Sequence, residues 1–448
     1  MEKVIRKGIV KYLEENGLFN PNQHGFCAGK SCLSQLLEYY DTILRLVGDG
    51  YSVDTVYLDF SKAFDKVDHS ILLSKLKGIG IGGKLGRWIH SFLTDRKQVV
   101  TVNGITSKSA PVKSGVPQGT VLGPILFLIY IADIDGDINY SSLSSFADDT
   151  RLLKAIQTVM DTFELQHDLN MAYTWTNDNN MTLNDTKFQL LRHGCSEVQK
   201  NSCYLSPSGT KIEEKECVKD LGVLMDNDCT FSSHINKVVE KMKEMSGWIL
   251  RTFKLRSPML MLTLWKSLVL PHHDYCSQLW SPLSVKSRQD LEMVQRKFLS
   301  KIDGMYNLTY WEQLKKLGLY SLERRRERYR VLYTWKILEG IVPNTSSTNG
   351  ITAQNHARFG RLCHVPFVRR SPYQGLRNAS FNVRAPMLFN CIPREVRDMK
   401  NCTKEEFKGK LNAHLKNIPD EPLIPGYVAY RRAETNSILD MSILCEIS

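Results

Sequence analysis

Two adjacent carboxylates, Asp148 and Asp149, lie in the stretch Ser145-Phe146-Ala147-Asp148-Asp149-Thr150, at a turn between two apolar, strand-like runs. Neighbouring acids repel, so the pair is costly unless a cation sits on it. Alone, most such pairs are solvated turn residues. A third acid gives this one weight. Asp59 ends the apolar run Val56-Tyr57-Leu58 and is followed by Phe60-Ser61-Lys62-Ala63-Phe64-Asp65. Three carboxylates from two strands have the hard oxygen ligands that Mg²⁺ prefers. Two such ions about 3.5–4 Å apart can clamp a transferring phosphate.

A chain of 448 residues is too long for one ordinary core, so two or three domains are expected. Its charge is lopsided. Residues 1–230 carry 24 Lys+Arg and 28 Asp+Glu, whereas residues 231–448 carry 35 and 19. The front half reads as a site built around acids, and the back half as a surface suited to a polyanion. The 11 Cys include no Cys-x-x-Cys pair, which argues against a zinc knuckle or a disulfide framework and points to a reducing, intracellular compartment. The most apolar run, Val121–Ala132, falls short of the roughly 20 residues a membrane span needs and reads as a buried helix; no membrane partner is expected.

In chain order, Met1–Gly17 has a helical pattern. The segment Asn20–Ser31 is Gly-flanked and carries Lys30; Gly25 and Gly29 would let backbone amides approach a phosphate, although taken by itself the segment reads better as a plain turn before the next helix. Helices are expected at Cys32–Val47, His69–Lys77 and Gly83–Leu93, a strand at Val53–Asp59, and a hairpin around Asn103-Gly104. Ser114-Gly115-Val116-Pro117-Gln118-Gly119 would open a helix Thr120–Ala132 whose N-terminal amides are free for a ligand. Met160–Trp175 reads as a helix, while Met181–Leu191, with Lys187, and Val218–Met225 read as strands. Past Asp228 the pattern is helical, with Ile235, Val238, Val239, Met242 and Ile249 on one face. The helix Ser321–Leu338 holds Arg324, Arg325, Arg326, Arg328 and Arg330, too many for a core face; it is either a solvated surface or a phosphate contact. Ile341–Gly350 reads as a polar linker. From Gly340 to Arg394 there are seven Arg, including Arg369 and Arg370, with no Lys and no acid, and with Phe and Tyr interspersed, a pattern suited to stacking and bidentate phosphate contact. Glu405–Leu415 reads as a last helix, and the tail after Pro419 as loosely ordered.

The order of these motifs resembles the palm of reverse transcriptases: Asp59 with Phe64, then Ser114–Gly119, Phe146–Asp149, Lys187 and Leu221-Gly222-Val223. The wording of Asp59–His69 and of Ser114–Pro124 is similar to that of non-LTR (LINE-type) retrotransposon polymerases, and argues against a maturase-like host polymerase. The resemblance implies an α+β right-hand polymerase: an antiparallel palm sheet backed by helices, partial fingers, a helical thumb and a basic carboxy-terminal region. The implied division is 1–228 for fingers and palm, 229–340 for thumb and 341–448 for the basic region.

Residue by residue, the resemblance implies that Asp59, Asp148 and Asp149, with Phe60 beside them, hold two Mg²⁺, with Mn²⁺ as a substitute. Phe64 would exclude a 2′-hydroxyl; Lys30, Phe60, Ala63, Gln118 and Lys187 would meet the dNTP. Leu221, Gly222 and Val223 would form the primer grip, and Arg324, Arg325, Arg326, Arg369 and Arg370 would hold nucleic acid. RNA template and DNA primer are the implied partners, in nucleus and cytoplasm. Three departures stand out. Cys27 replaces the usual Arg after Phe26, and against the resemblance this sequence would be expected to begin inside the fingers and to lack the family's preceding endonuclease. The expected activity is therefore weakened. The alternative is a catalytically inactive, nucleic-acid-binding remnant, against which the intact acids argue.

Overall fold

The computed structural model describes residues 1–344, 350–420 and 436–439, an α+β chain. It divides into two compact units, one of residues 1–35 and 51–216, the other of residues 36–50 and 217–448. This grouping differs from the expected three parts. The segment 217–228 joins the second unit, and the expected thumb and basic region fall in one unit because their helices share a core, as Trp335 stacked on Phe407 illustrates.

The first unit is built on a five-stranded sheet. Its strands are β1 (Ser52–Leu58), β2 (Ser142–Phe146), β3 (Asp149–Ile156), β4 (Gln189–His193) and β5 (Glu213–Lys215), in the order β2-β3-β1-β4-β5. The expected antiparallel pairing holds for β1 with β3 and β4 and for β2 with β3, whereas the edge pair β4–β5 runs parallel. β1 is central, and every residue except Tyr57 is buried, so even its polar Ser52, Asp54 and Thr55 lie inside. Its one acid, Asp54, is fully buried and accepts hydrogen bonds from Tyr204 Oη and Gln199 Nε2, both at 2.7 Å.

Most predicted elements fall where the pattern puts them. The helices are Glu2–Glu15, Cys32–Gly48, His69–Gly78, Gly83–Leu93 and Val159–Asp178, the last begun by a reciprocal cap between Thr158 and Asp161. The apolar run forms the helix Gly123–Tyr130, every residue of which except Pro124 is buried in the core of this unit. Its N-terminus is not open to a ligand: Val121 and Leu122 N–H donate to Glu2 Oε2 at 2.8 and 3.1 Å. The Asn103-Gly104 hairpin forms, with φ of 49° and 83° at its two turn residues.

In the second unit, Val218–Met225 is a hairpin rather than one strand. Cys217–Asp220 pairs with Val223–Asp226, and Leu221 and Gly222 turn with φ of 44° and 87°. The helix Ser232–Thr252 buries the expected Ile235, Val238, Val239, Met242 and Ile249. Met259–Leu270 is continuous but changes character, from Pro258–Leu264 through a π-helical turn at Trp265–Val269 to Leu270–Asp274. The helices Val285–Leu299, Leu322–Leu338 and Lys404–Lys416 follow. Part of the polar linker, residues 345–349, and most of the tail, residues 421–435 and 440–448, lie outside the described residues. No described helix is long and apolar enough to cross a membrane.

Candidate functional site

The acids sit at the ends of paired strands. The β1–β3 register matches Leu58 with Thr150, so Asp59 leaves β1 beside Asp149. The β2–β3 hairpin closes at Phe146 and Asp149, leaving Ala147 and Asp148 as its two-residue turn. Burial, foremost, pushes the Asp148 carboxyl above the usual carboxylate range, and the charge of Asp59 pushes it the same way. Asp59 is thus near enough to oppose the ionisation of Asp148.

A second segment runs alongside Asp59. Ser61 N–H donates to Thr182 O at 2.7 Å, and Asn184 N–H donates to Asp59 O at 2.8 Å. Phe60, buried, forms an isolated bridge with Leu183. This pairing brings the turn Asp185–Lys187 over the acid, and Lys187 Nζ meets Asp59 Oδ2 at 3.0 Å.

The Ser114–Gly119 loop packs on the short helix Ala63–Lys66. Ser114 Oγ donates to Asp65 O at 2.9 Å, Gly115 N–H to Val67 O at 2.8 Å and Val116 N–H to Phe64 O at 2.9 Å. Gly115 has φ of 86°, and a Cβ there would press into the Asp65 backbone, so the motif needs glycine. Gln118 Nε2 donates to Asp65 Oδ1 at 2.9 Å. Ala63 is buried, and Phe64 stacks on Phe127 at 4.2 Å between centroids and meets the edge of Phe26 at 6.1 Å. Lys30 Nζ donates to Pro21 O at 2.6 Å and Gln23 O at 2.8 Å, fastening its own loop. Cys27 remains a neutral thiol: burial raises its pKa, and Lys30 only partly opposes this.

The structure therefore brings Asp59 at the end of the central strand together with Lys187 and near Asp148 in the neighbouring turn, and places Phe64 and Gln118 on the adjoining short helix and loop. Among the described residues, no group of three His, Cys, Asp or Glu side chains is drawn together closely enough to hold a metal ion. The donor chemistry nonetheless fits hard divalent cations: carboxylates from neighbouring strand ends, one raised by burial and by the charge of the other.

In the second unit, Leu221 and Gly222 form the hairpin turn, and Tyr275 Oη donates to Leu221 O at 2.6 Å. The arginine-rich helix corrects the reading from sequence. Arg324 and Arg326 are buried, at 0% and 1% exposure, where no phosphate can reach. Arg324 Nη2 donates to Pro419 O and Asn436 O, both at 2.9 Å. Arg326 Nη2 pairs with Glu323 Oε2 at 2.5 Å and its Nη1 lies 3.0 Å from His273 Nε2. Arg325 grips Asp274 through Nε and Nη2, at 2.7 and 2.5 Å. These cations fold inward because carboxylates and carbonyls far along the chain converge on the helix. Arg369 and Arg370 stay exposed, in an irregular stretch.

One residue of this site escaped sequence reasoning. Gln23, in the Gly-flanked loop, is buried against the acidic turn. Only its place beside Gly25 hinted at it, since that glycine signals a close backbone approach.

With this geometry in view, comparison with known proteins is direct. The family described as reverse transcriptase (RNA-dependent DNA polymerase) matches residues 1–246, and the chain belongs to that family. Its kinship within the family is to non-LTR, LINE-type elements. A probable RNA-directed DNA polymerase from transposon X-element of Drosophila melanogaster is 27% identical over 346 residues, covering 73% of this chain and 37% of that protein. The RNA-directed DNA polymerase from mobile element jockey of the same species is 27% identical over 321 residues, covering 68% and 34%. The chain thus spans about a third of the length of these curated relatives. A solved telomerase from Candida tropicalis is 12% identical with a TM-score of 0.41, covering 92% of this chain and 56% of that one; a likeness at that level says nothing further about this chain.

Proposed function

We propose that the chain is the polymerase portion of a non-LTR retrotransposon protein and extends a DNA primer on an RNA template with dNTPs. The observation that carries this reading is Asp59 at the end of β1 near Asp148 in the β2–β3 turn, with Asp59's charge raising Asp148. Asp59, Asp148 and Asp149, with Phe60 beside them, would hold two divalent ions, Mg²⁺ or in substitution Mn²⁺, which when bound supply charge neutralisation at the transferring phosphate. Phosphoryl transfer otherwise asks for positioning. Lys187, already paired with Asp59, brings a cation toward the triphosphate. Phe64, braced by Phe127 and Phe26, is a stiff wall where a 2′-hydroxyl would lie. Gln118 and Ala63 would border the nucleotide, and Lys30 would steady the loop that it fastens.

Leu221, Gly222 and Val223 would grip the primer, and Arg369 and Arg370 would meet phosphates. The residues 1–228, 229–340 and 341–448 would act as fingers and palm, thumb and basic region. Such an enzyme would work inside the cell, in nucleus and cytoplasm. Primer extension by the purified chain on an RNA template with each dNTP tests the reading: template-directed incorporation supports it, and none at any Mg²⁺ or Mn²⁺ concentration refutes it.

A further inference from the structure

The loop that precedes the helix Cys32–Gly48 is stitched to the acidic turn. Ser145 N–H donates to Asn22 O at 3.0 Å and His24 N–H to Ser145 O at 2.9 Å, so Gln23 forms a parallel bridge with Ser145. Its side chain goes further along the same hairpin. Gln23 Oε1 accepts from Ala147 N–H at 2.8 Å and from Gly25 N–H at 2.7 Å, while Nε2 donates to Ala147 O at 3.2 Å. One buried carboxamide thus holds both the amide and the carbonyl of Ala147. Gly25 is what allows the approach, because a Cβ there would overlap the Ala147 amide nitrogen.

Ala147 needs holding. Its φ is 55°, in the left-handed region, which a residue with a Cβ adopts only against strain. Such a conformation persists where the surroundings over-determine it. Ala147 immediately precedes Asp148, so the orientation of the Ala147 carbonyl sets where the Asp148 carboxylate leaves the chain.

We infer that Gln23 is a positioning residue for the acidic turn: its carboxamide locks the left-handed Ala147 and thereby aims Asp148. This rests on the proposed reading of Asp148 as a reacting-site carboxylate. Gln23 does not itself touch a reacting group. The requirement is chemical as well as steric, since only a carboxamide of this length offers an acceptor and a donor on one rigid plane. Methionine fills the space with neither. Glutamate keeps an acceptor and loses the donor.

The test uses the full chain and the variants Gln23→Met and Gln23→Glu. Three quantities are read: amide exchange at Ala147 with β1 amides as an internal reference, affinity for Mn²⁺ alone, and kcat and KM for dNTP on an RNA template. In Gln23→Met the Ala147 amide should exchange at least about tenfold faster, with β1 unchanged, and Mn²⁺ affinity should fall about tenfold. The kcat should fall about 100-fold, with KM for nucleotide within about threefold, as expected for a misplacement near 1 Å. Gln23→Glu should keep the Ala147 protection and recover part of kcat. Unchanged exchange at Ala147 in Gln23→Met would overturn the inference, as would a rise shared equally by β1. If the wild-type chain incorporates no nucleotide, the polymerase reading fails separately, and exchange with Mn²⁺ affinity still decides the role of Gln23.

Discussion

Replacing Arg326 by alanine removes a cation from the interior of the second unit. Arg326 is 1% exposed and Glu323 is 8% exposed, and they meet at 2.5 Å. Burial pushes the Glu323 carboxyl up, but Arg326, then Arg288 and Arg384, hold it below the usual range. Taking away one partner of a buried pair costs about 3–5 kcal/mol; Arg288 and Arg384 still face Glu323, but the carboxylate loses its hydrogen-bonded cation. For a unit of this size, each kcal/mol lowers Tm by roughly 2–4 °C, so Arg326→Ala should melt roughly 6–20 °C lower at pH 7. The sign with pH follows from the depressed Glu323 carboxyl. The pair's stabilisation is complete above the unfolded carboxylate pKa and is lost as pH falls through the folded value. The deficit of the variant should therefore shrink in acid, where the abandoned Glu323 takes up a proton. Differential scanning calorimetry at pH 7 and pH 5 measures both effects. Nucleic-acid affinity plotted against salt should keep its slope in Arg326→Ala, whereas Arg369→Ala with Arg370→Ala should lower the slope by about 0.7–0.9 for each phosphate no longer neutralised. An unchanged Tm with a reduced salt slope in Arg326→Ala would refute a structural role and restore a surface one.

Phe64→Ala should admit ribonucleotides, because it removes the ring that Phe127 and Phe26 brace; a competition assay with unchanged sugar discrimination would count against a steric gate. Glu292 accepts from Tyr310 Oη at 2.5 Å and Glu323 N–H at 3.0 Å, yet burial pushes its carboxyl up to about 7. Because this pKa is raised in the folded state, stability should fall as pH rises from about 5 to 7, and Glu292→Gln should remove up to about 1.4 kcal/mol per pH unit of that slope in denaturant titrations. Cys27→Arg should tighten nucleotide binding more than template binding, since a charged hydrogen bond to phosphate is worth about 1.5–3 kcal/mol, or roughly 10- to 150-fold; equal changes in both affinities would contradict this.

The strand ends and the acids were legible because apolar runs and turn residues are local signals. Asp59 and Asp148 fall at strand termini, and Gly83–Leu93 occupies the helix its pattern predicts. The arginines of Leu322–Leu338 were misread because, apart from Glu323 on the same helix, their partners are remote. Asp274, which neutralises Arg325, and His273 and the Pro419 and Asn436 carbonyls, which accept from Arg326 and Arg324, are separated in sequence from the helix, and periodicity carries no trace of them. The hairpin 217–226 read as one strand because its apolar alternation continues through Leu221, a residue that resists the left-handed turn it adopts. Gln23 was hidden for a related reason. A glutamine in a loop is ordinarily solvated, and only the tertiary approach of Gly25 to Ala147 makes it a clamp.

On the proposed function, Asp148 is a working carboxylate of an RNA-templated DNA polymerase. The most direct measurement compares dNTP incorporation on an RNA template by the wild-type chain with that of Asp148→Asn, at matched folding and template affinity, with Asp65→Asn as a neighbour control. Template-directed extension is expected of the wild type, with its abolition in Asp148→Asn and a milder loss in Asp65→Asn. Equal incorporation by wild type and Asp148→Asn, or equal loss in both variants, would contradict it.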